Sequence, residues 1–291
     1  MKKIVFLLLF VGIGAVCLGQ RKPPKLPKFN KTRDKDVFLE KQWFLGFKGG
    51  VNLSEARPYN SYAVIHPIGQ DPYNKEYTSF QYVGTQAALE ATFYFTGLSL
   101  SFQPTYRYNR FSYENTFTWA DAENPTNRID LTYNQQQQVH YLDLPLLAKY
   151  EYMISKFSPY IQAGVYYSFL VNANKSVLIN GTDYASGGTD QFVNGPLIVG
   201  ATDLFAPRHW GLVYGIGTYM NQGNVRFCLD IQFKQGLSNI SSVVNRFKSD
   251  RLSGIGDTMD DMRLNSVAVS IGCLFPLRFL SSSFRSIDRP N

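Results

Sequence analysis

Apolar and polar side chains alternate along the chain in eight separate stretches. In HYLDLPLLAKYEY, residues 140–152, Leu142, Leu146 and Tyr150 fall on one face, while Asp143 and Lys149 fall on the other. A period of two is typical of a β-strand with one apolar and one polar face. The other stretches begin near residues 43, 82, 98, 159, 210, 225 and 266. The pattern therefore predicts eight strands.

The lengths of these stretches and of their connections favour a membrane barrel over a soluble sandwich, which also alternates. Each stretch is roughly 10 to 14 residues long, and a tilted strand needs about 9 to 11 residues to cross a bilayer. Connections at 53–80, 114–138, 173–209 and 237–263 are long, whereas those at 96–97, 153–158 and 221–224 are short. We therefore predict an all-β fold at residues 43–275, an eight-stranded antiparallel transmembrane β-barrel. Its strands would form an up-and-down meander with long extracellular loops.

The segments outside the barrel have their own signatures. Lys2 and Lys3 precede a short apolar run and Gly19 offers a cleavage position, so residues 1–19 are predicted to be a secretory signal peptide. Residues 20–42 form a basic, proline-containing extension, and residues 276–291 form a C-terminal tail. An even number of strands places both termini on one side. The predicted location is the cell outer membrane, with both termini in the periplasm.

The polar face of each strand would look into the barrel. Eight strands enclose an interior just wide enough for side chains to fill. Five cations and four anions on this face nearly balance, which favours buried ion pairs over an ion-selective pore. By their heights, Lys48 is expected to pair with Glu90, and Arg107 with Asp143. The predicted lumen charges are Lys48, Glu90, Arg107, Asp143, Lys149, Glu151, Arg226, Asp230 and Lys234.

Composition adds a basic arm to this picture. Charged residues are 18% of the chain and the formal net charge is +7, with eight Lys or Arg against three acids in residues 20–42. This segment cannot bury a core and is either a disordered spacer or a docking arm. Its compartment excludes nucleic acid and leaves lipid headgroups, cell-wall carboxylates or a protein as partners. The docking candidates are Arg21, Lys22, Lys25, Lys28, Lys31 and Arg33.

No motif predicts an enzyme or a cofactor. His140 and His209 could approach one another at the outer rim, yet no serine or carboxylate completes a nucleophile and base. Asp257, Asp260 and Asp261 match no calcium-binding spacing, so we expect a solvated acidic turn. Asn180-Gly181 predicts a hairpin turn, with the fifth and sixth strands extending above the membrane as a platform for contacts. Cys228 and Cys273 fall on opposite faces and are expected to be free thiols.

Three stretches resemble the outer-membrane β-barrel family common in Bacteroidota, the PorT-like or porin family proteins. They are GFKGGVNLS (46–54), YLDLPLLAKY (141–150) and PYIQAGVYYSFLV (159–171). The resemblance supplies no catalytic residues. It implies a non-enzymatic structural or assembly component, such as a part of a type IX-like secretion or surface-assembly complex, with protein partners in the outer membrane or periplasm. A small passive porin or ligand-binding barrel is the alternative. The basic extension and the tail depart from the family pattern.

Overall fold

The computed structural model describes residues 41–62, 75–152, 157–185, 188–222, 225–246 and 258–277. The strands are β1 (Lys41–Asn60), β2 (Lys75–Tyr77), β3 (Val83–Phe95), β4 (Leu98–Phe102), β5 (Thr105–Ala120), β6 (Arg128–Glu151), β7 (Phe157–Asp183), β8 (Asp190–Gly200), β9 (Arg208–Gln222), β10 (Val225–Gly236) and β11 (Asp261–Pro276). A short 3-10 helix, η1 (Thr202–Leu204), precedes β9. Within the described ranges, no helix has the length and apolar character needed to span a bilayer.

Eight strand positions form a closed antiparallel ring. Around the wall the order is β1, β3, β4 with β5, β6, β7, β9, β10, β11 and back to β1. β4 and β5 share one position, because the strand is interrupted at Gln103–Pro104 and both segments pair with β3 and β6. The ring closes where Phe44 of β1 pairs with Pro276 of β11. The predicted eight-stranded antiparallel barrel is therefore confirmed.

The two ends of the barrel differ. At the short-turn end, β3 and β4 are joined by Thr96 and Gly97 alone, which have φ angles of +43° and +88°. A two-residue hairpin needs such left-handed angles to follow the twist of its strands. β6 ends and β7 begins at the same end, and so do the end of β9 and the start of β10. The opposite, long-loop end holds the strand extensions of the described residues.

Outward-facing side chains are apolar along the wall, as the alternation predicts. Leu89, Ile161 and Ile271 are more than 60% exposed. Aromatic side chains lie near both ends of this apolar band. Exposed aromatic residues toward the short-turn end are Trp43, Phe95, Tyr150, Tyr152 and Phe157, and those toward the long-loop end are Tyr106, Tyr167 and Trp210.

Much of the chain predicted as long loop is instead strand. Residues 114–138 contain the ends of β5 and β6, which pair from Thr105 opposite Asp143 up to Ala120 opposite Arg128. Residues 173–209 contain the end of β7 and all of β8. Together β2, β5, β6, β7 and β8 form an extension sheet above the barrel. The loop prediction was wrong because these segments lack the single apolar face that marks a membrane strand. The ends of β5 and β6 are mostly polar on both faces, and β8 has apolar residues on both.

The predicted hairpin turn at Asn180-Gly181 is also wrong. Asn180 pairs with Val193 and Gly181 with Phe192, so both residues lie inside β7, and the chain reverses only after Asp183. Gly181 lies under the ring of Phe192. A Cβ at this position would lie 2.1 Å from Cζ of Phe192, so a larger residue would require that exposed ring to move.

The extension sheet has a small apolar centre of its own. The rings of Phe117 and Tyr133 meet edge to face with centroids 5.7 Å apart, and Val177 packs beside them. Burial raises the pKa of the Tyr133 phenol. This apolar cluster is separate from the clusters of the barrel interior. It therefore stabilises the extension sheet independently of the lumen.

Candidate functional site

The interior of the barrel contains three layers of charged side chains. The middle layer is centred on Glu90 of β3. Its carboxylate lies 2.6 Å from the Lys48 ammonium and 2.6 Å from the Lys149 ammonium. Lys48 also pairs with Asp230 of β10, and Lys149 donates a hydrogen bond to the Tyr219 hydroxyl at 2.9 Å. Two ammonium groups and two carboxylates make this layer neutral.

A second layer, nearer the long-loop end, is centred on Asp143 of β6. The carboxylate accepts from Lys234 of β10 at 2.7 Å and from the Ser168 hydroxyl at 2.6 Å. It also lies 2.8 Å from Nε of Arg107, whose Nη1 donates to the Ser266 hydroxyl at 2.7 Å. The Asp143 carboxylate therefore pairs with two cations. Hydrogen bonds between charged groups are stronger than those between neutral groups.

The third layer closes the short-turn end. Arg226 of β10 pairs with Glu151 of β6 and donates to the Asn221 side-chain oxygen at 2.7 Å. Its guanidinium also lies 4.5 Å from the ring centroid of Tyr219 and 4.9 Å from that of Phe44. These contacts combine an ion pair with cation–π interactions.

Several of these contacts cross the full width of the barrel. Gln103 and Gln232 lie on opposite wall positions, and their side-chain amides are 3.2 Å apart. Lys234 reaches Asp143 from three wall positions away. Side chains that meet across the lumen narrow it at these heights.

All nine charges predicted for the lumen point into it, and eight of them belong to buried residues, with Arg226 partly exposed. The expected pairs Lys48–Glu90 and Arg107–Asp143 are both present. Counting heights along neighbouring strands did not find the partners Asp230 and Lys234, which lie two and three wall positions from Lys48 and Asp143. Those contacts depend on how the ring closes, which only the complete register specifies.

An apolar cap fills the lumen at the long-loop end. It consists of Ala201, Leu204, Phe205, Ile240 and Met259, each at most 4% exposed. The backbone ties the cap to the wall: the amide of Ala201 donates to the Ala173 carbonyl at 2.8 Å, and that of Ile240 donates to the Met262 carbonyl at 2.9 Å. Sequence analysis missed this cap. Its signal is the apolar stretch DLFAP, residues 203–207, within a predicted loop.

Asp260 and Asp261 are buried and hydrogen-bonded, so the predicted solvated acidic turn is wrong for these two residues, while Asp257 lies outside the described residues. Asp260 accepts from Lys75 at 2.9 Å and from the Tyr77 hydroxyl at 2.8 Å. Asp261 pairs with Arg246 and accepts from the Tyr62 hydroxyl at 3.0 Å. These carboxylates tie two long connections together, because Tyr62, Lys75 and Tyr77 belong to the connection at 53–80 and the carboxylates to the one at 237–263.

The two described histidines lie on opposite faces of the wall and do not meet, contrary to expectation. His140 is outward, with Nδ1 2.9 Å from the Tyr106 hydroxyl and its ring stacked on Tyr108. His209 is buried inside, with its ring edge to face against Tyr141 at 4.4 Å between centroids. Strand alternation separates them, since their positions have opposite parity relative to the lumen.

Two sets of residues from the sequence predictions remain, the cysteines and the basic docking residues. Cys228 is buried in the lumen and Cys273 half-buried, and both thiols are free, as expected. Within the described ranges, no group of His, Cys, Asp or Glu side chains is arranged to hold a metal ion. The predicted docking residues Arg21, Lys22, Lys25, Lys28, Lys31 and Arg33, with the predicted signal peptide, lie outside the described residues.

The chain is similar to known proteins at two levels, a family model and solved structures. The family model described as outer membrane protein beta-barrel domain matches residues 25–242. No curated protein sequence matches the chain. Among solved structures, Escherichia coli outer membrane protein W is 14% identical over 81% of this chain and 98% of its own, with a TM-score of 0.35. Neisserial surface protein A is 11% identical over 79% and 96%, with a TM-score of 0.33. Ail of Yersinia pestis, in complex with a heparin analogue, is 10% identical over 80% and 99%, with a TM-score of 0.28.

Proposed function

The chain belongs to the family of outer membrane protein beta-barrel domains and lies in the lipid of the outer membrane, and we propose that it is a sealed, non-enzymatic anchor for the extension sheet. In this role the barrel fixes the sheet at the membrane surface, where it forms part of a structural or assembly complex. A secretion or surface-assembly complex of the type IX kind is the specific form we propose.

The observation that carries the proposal is the closure of the lumen. Gln103 meets Gln232 across the barrel, and the Glu90 and Asp143 layers hold the ammonium groups of three lysines. On the long-loop side of these layers, the apolar cap fills the end of the lumen. A conducting pore needs a continuous polar, hydrated path, and this interior favours mutual pairing instead.

Single-channel recording in planar bilayers tests the sealed lumen. We expect no discrete conductance steps from the full chain, whereas a known porin in the same bilayers gives them. Reproducible steps that scale with the amount of protein would refute the sealed anchor and favour the alternative, a small passive porin.

We further propose an orientation in which the long-loop end faces outside and both termini lie in the periplasm. Short turns on the periplasmic side and long connections outside are usual for such barrels. Protease added to intact cells should then cleave within the extension sheet. Cleavage only after the outer membrane is permeabilised would reverse the orientation.

The basic arm is proposed as a periplasmic docking segment. Deleting residues 21–40 should remove specific proteins from those that copurify after crosslinking in native membranes. A matched chain with residues 175–199 deleted should lose a different set, because that deletion removes contacts outside. Identical partners for the full chain and the arm deletion would defeat the docking role and leave a spacer.

A further inference from the structure

β8 is an exposed strand at the edge of the extension sheet. It pairs with β7 on one side, and no strand in the described part of the chain pairs with its other side. Val193 is 66% and Ile198 is 65% exposed, and Phe192 and Leu197 are exposed as well. Because adjacent residues of a strand face opposite ways, apolar side chains are exposed on both faces of β8.

This edge lacks the charged residues that usually protect an edge strand against pairing. Natural edge strands commonly carry lysines or other charges, which prevent another strand from adding. From Gln191 to Gly200 the sequence contains no charged residue. Pro196 interrupts the edge once, because it has no backbone N–H to donate. Gln191–Asn194 and Leu197–Gly200 therefore remain as two segments on which a further strand can form hydrogen bonds.

The tip of the sheet beside β8 is acidic. Asp121 and Glu123 are exposed in the turn between β5 and β6, and Asp183 ends β7 at the same height, opposite Ile129. Arg128, the cation of this turn, lies 3.3 Å from Asp130. A ligand that follows β8 toward the tip thus reaches a surplus of carboxylates, which attracts positive charge.

The ligand cannot be a second copy paired antiparallel through β8 in the same membrane. Two identical antiparallel strands in one sheet are related by a two-fold axis normal to that sheet. Since the extension sheet continues the barrel wall, this axis would point the two barrels in opposite directions. One bilayer cannot hold both barrels, so an antiparallel pairing partner in this membrane is a different chain.

We propose that β8 binds an extended segment of a partner protein, which adds to the extension sheet as a further strand. The segment has apolar side chains at alternate positions and Lys or Arg at the end beside the tip. Strand addition of this kind takes affinity from backbone hydrogen bonds and specificity from side chains. The inference rests on the proposed anchor role and specifies its partner.

A synthetic peptide tests the inference. The probe is a fluorescein-labelled peptide of Thr-Val repeats ending in two lysines, because an antiparallel strand places its C-terminal end at the tip. Binding to the full chain in lipid nanodiscs is measured by fluorescence anisotropy, with empty nanodiscs subtracted. We expect saturable binding that Val193→Lys weakens by roughly tenfold. Val244→Lys is the matched control, since Val244 is 81% exposed but lies outside β8.

Two further peptides separate strand addition from nonspecific adhesion. A version N-methylated at alternate amides keeps its charge and apolar character but cannot pair, and it should not bind. A version ending in two glutamates should bind more weakly, and the difference should shrink at high salt. Equal binding of the N-methylated peptide, or equal effects of the two lysine variants, would overturn the inference. Neither result would alter the conductance test, and channel steps would refute the sealed anchor without affecting peptide binding.

Discussion

Replacing Glu90 with Gln should destabilise the barrel, because it removes the carboxylate that Lys48 and Lys149 share. Lys48 keeps its second partner, Asp230, whereas Lys149 keeps only the Tyr219 hydroxyl among the contacts described above. One buried ammonium group is thus left without a counter-ion. Breaking a buried pair in this way costs about 3 to 5 kcal/mol. We expect a loss in this range rather than twice as much, since only one of the two lysines is orphaned.

The measurement is equilibrium urea unfolding of the full chain in detergent micelles. Tryptophan fluorescence reports the transition, and unfolding and refolding curves must coincide for the free energy to be valid. Glu123→Gln makes the same chemical change in an exposed turn and should shift the free energy of unfolding by less than about 0.5 kcal/mol. A loss below about 1 kcal/mol for Glu90→Gln, the range of solvated surface pairs, would show that the lumen charges are hydrated.

A double-mutant cycle tests the cause of the loss. Lys149→Met removes the orphaned ammonium group, so Glu90→Gln with Lys149→Met should be more stable than the sum of the single losses predicts, by about 1 to 3 kcal/mol. Additive losses would mean that Glu90 stabilises the barrel by some route other than its pairing with Lys149.

Three further predictions concern the turn, the long-loop end and the lipid-facing wall. Thr96→Asn should stabilise the barrel by roughly 0.5 to 1 kcal/mol in the same urea assay, because a β-branched residue is strained at a φ of +43° and asparagine is not; a loss of stability would contradict this. Lys75→Met should speed proteolysis at the long-loop end several-fold and leave the membrane core intact, because Asp260 loses its cation. The control Glu76→Gln, a change at the exposed neighbouring residue, should have no effect. Equal cleavage rates for the two variants would contradict this prediction. In chains with Cys228 and Cys273 changed to Ala, a cysteine introduced at Leu100 or Leu144 should resist a water-borne maleimide in nanodiscs. A cysteine introduced at Val193 should react. Rapid labelling at Leu100 would show that the outer face of the wall is in water.

The sequence was most informative where one face of a strand meets lipid. Alternation at Leu89 and Glu90, or at Leu142 and Asp143, specified which side chains point inward, because a barrel wall has only two environments. Strand number and the interior charges followed from that pattern. The partner of each charge did not, since Asp230 and Lys234 pair with residues two and three wall positions away. The distance between two residues along the sequence does not indicate whether their side chains meet inside the barrel.

The long-loop end was less predictable for a different physical reason. Gln135 and Gln137 point toward buried polar surroundings, so the end of β6 looks polar on both faces although it is fully paired. The cap residues Leu204 and Phe205 lie in a segment without periodicity. Asp260 resembled a surface residue until its cation, Lys75, was brought to it from a separate connection.

The pairing of Phe44 with Pro276 has a consequence for biogenesis. The first and last strands meet only after nearly the entire chain has been synthesised, so the decisive contacts are of high contact order and are expected to form slowly. An incomplete ring would expose unpaired backbone to hydrocarbon, which excludes strand-by-strand entry into the bilayer without assistance. Until β11 is available, the apolar side chains of the future outer wall cannot be placed in a closed ring, so we expect insertion into lipid to follow ring closure rather than precede it.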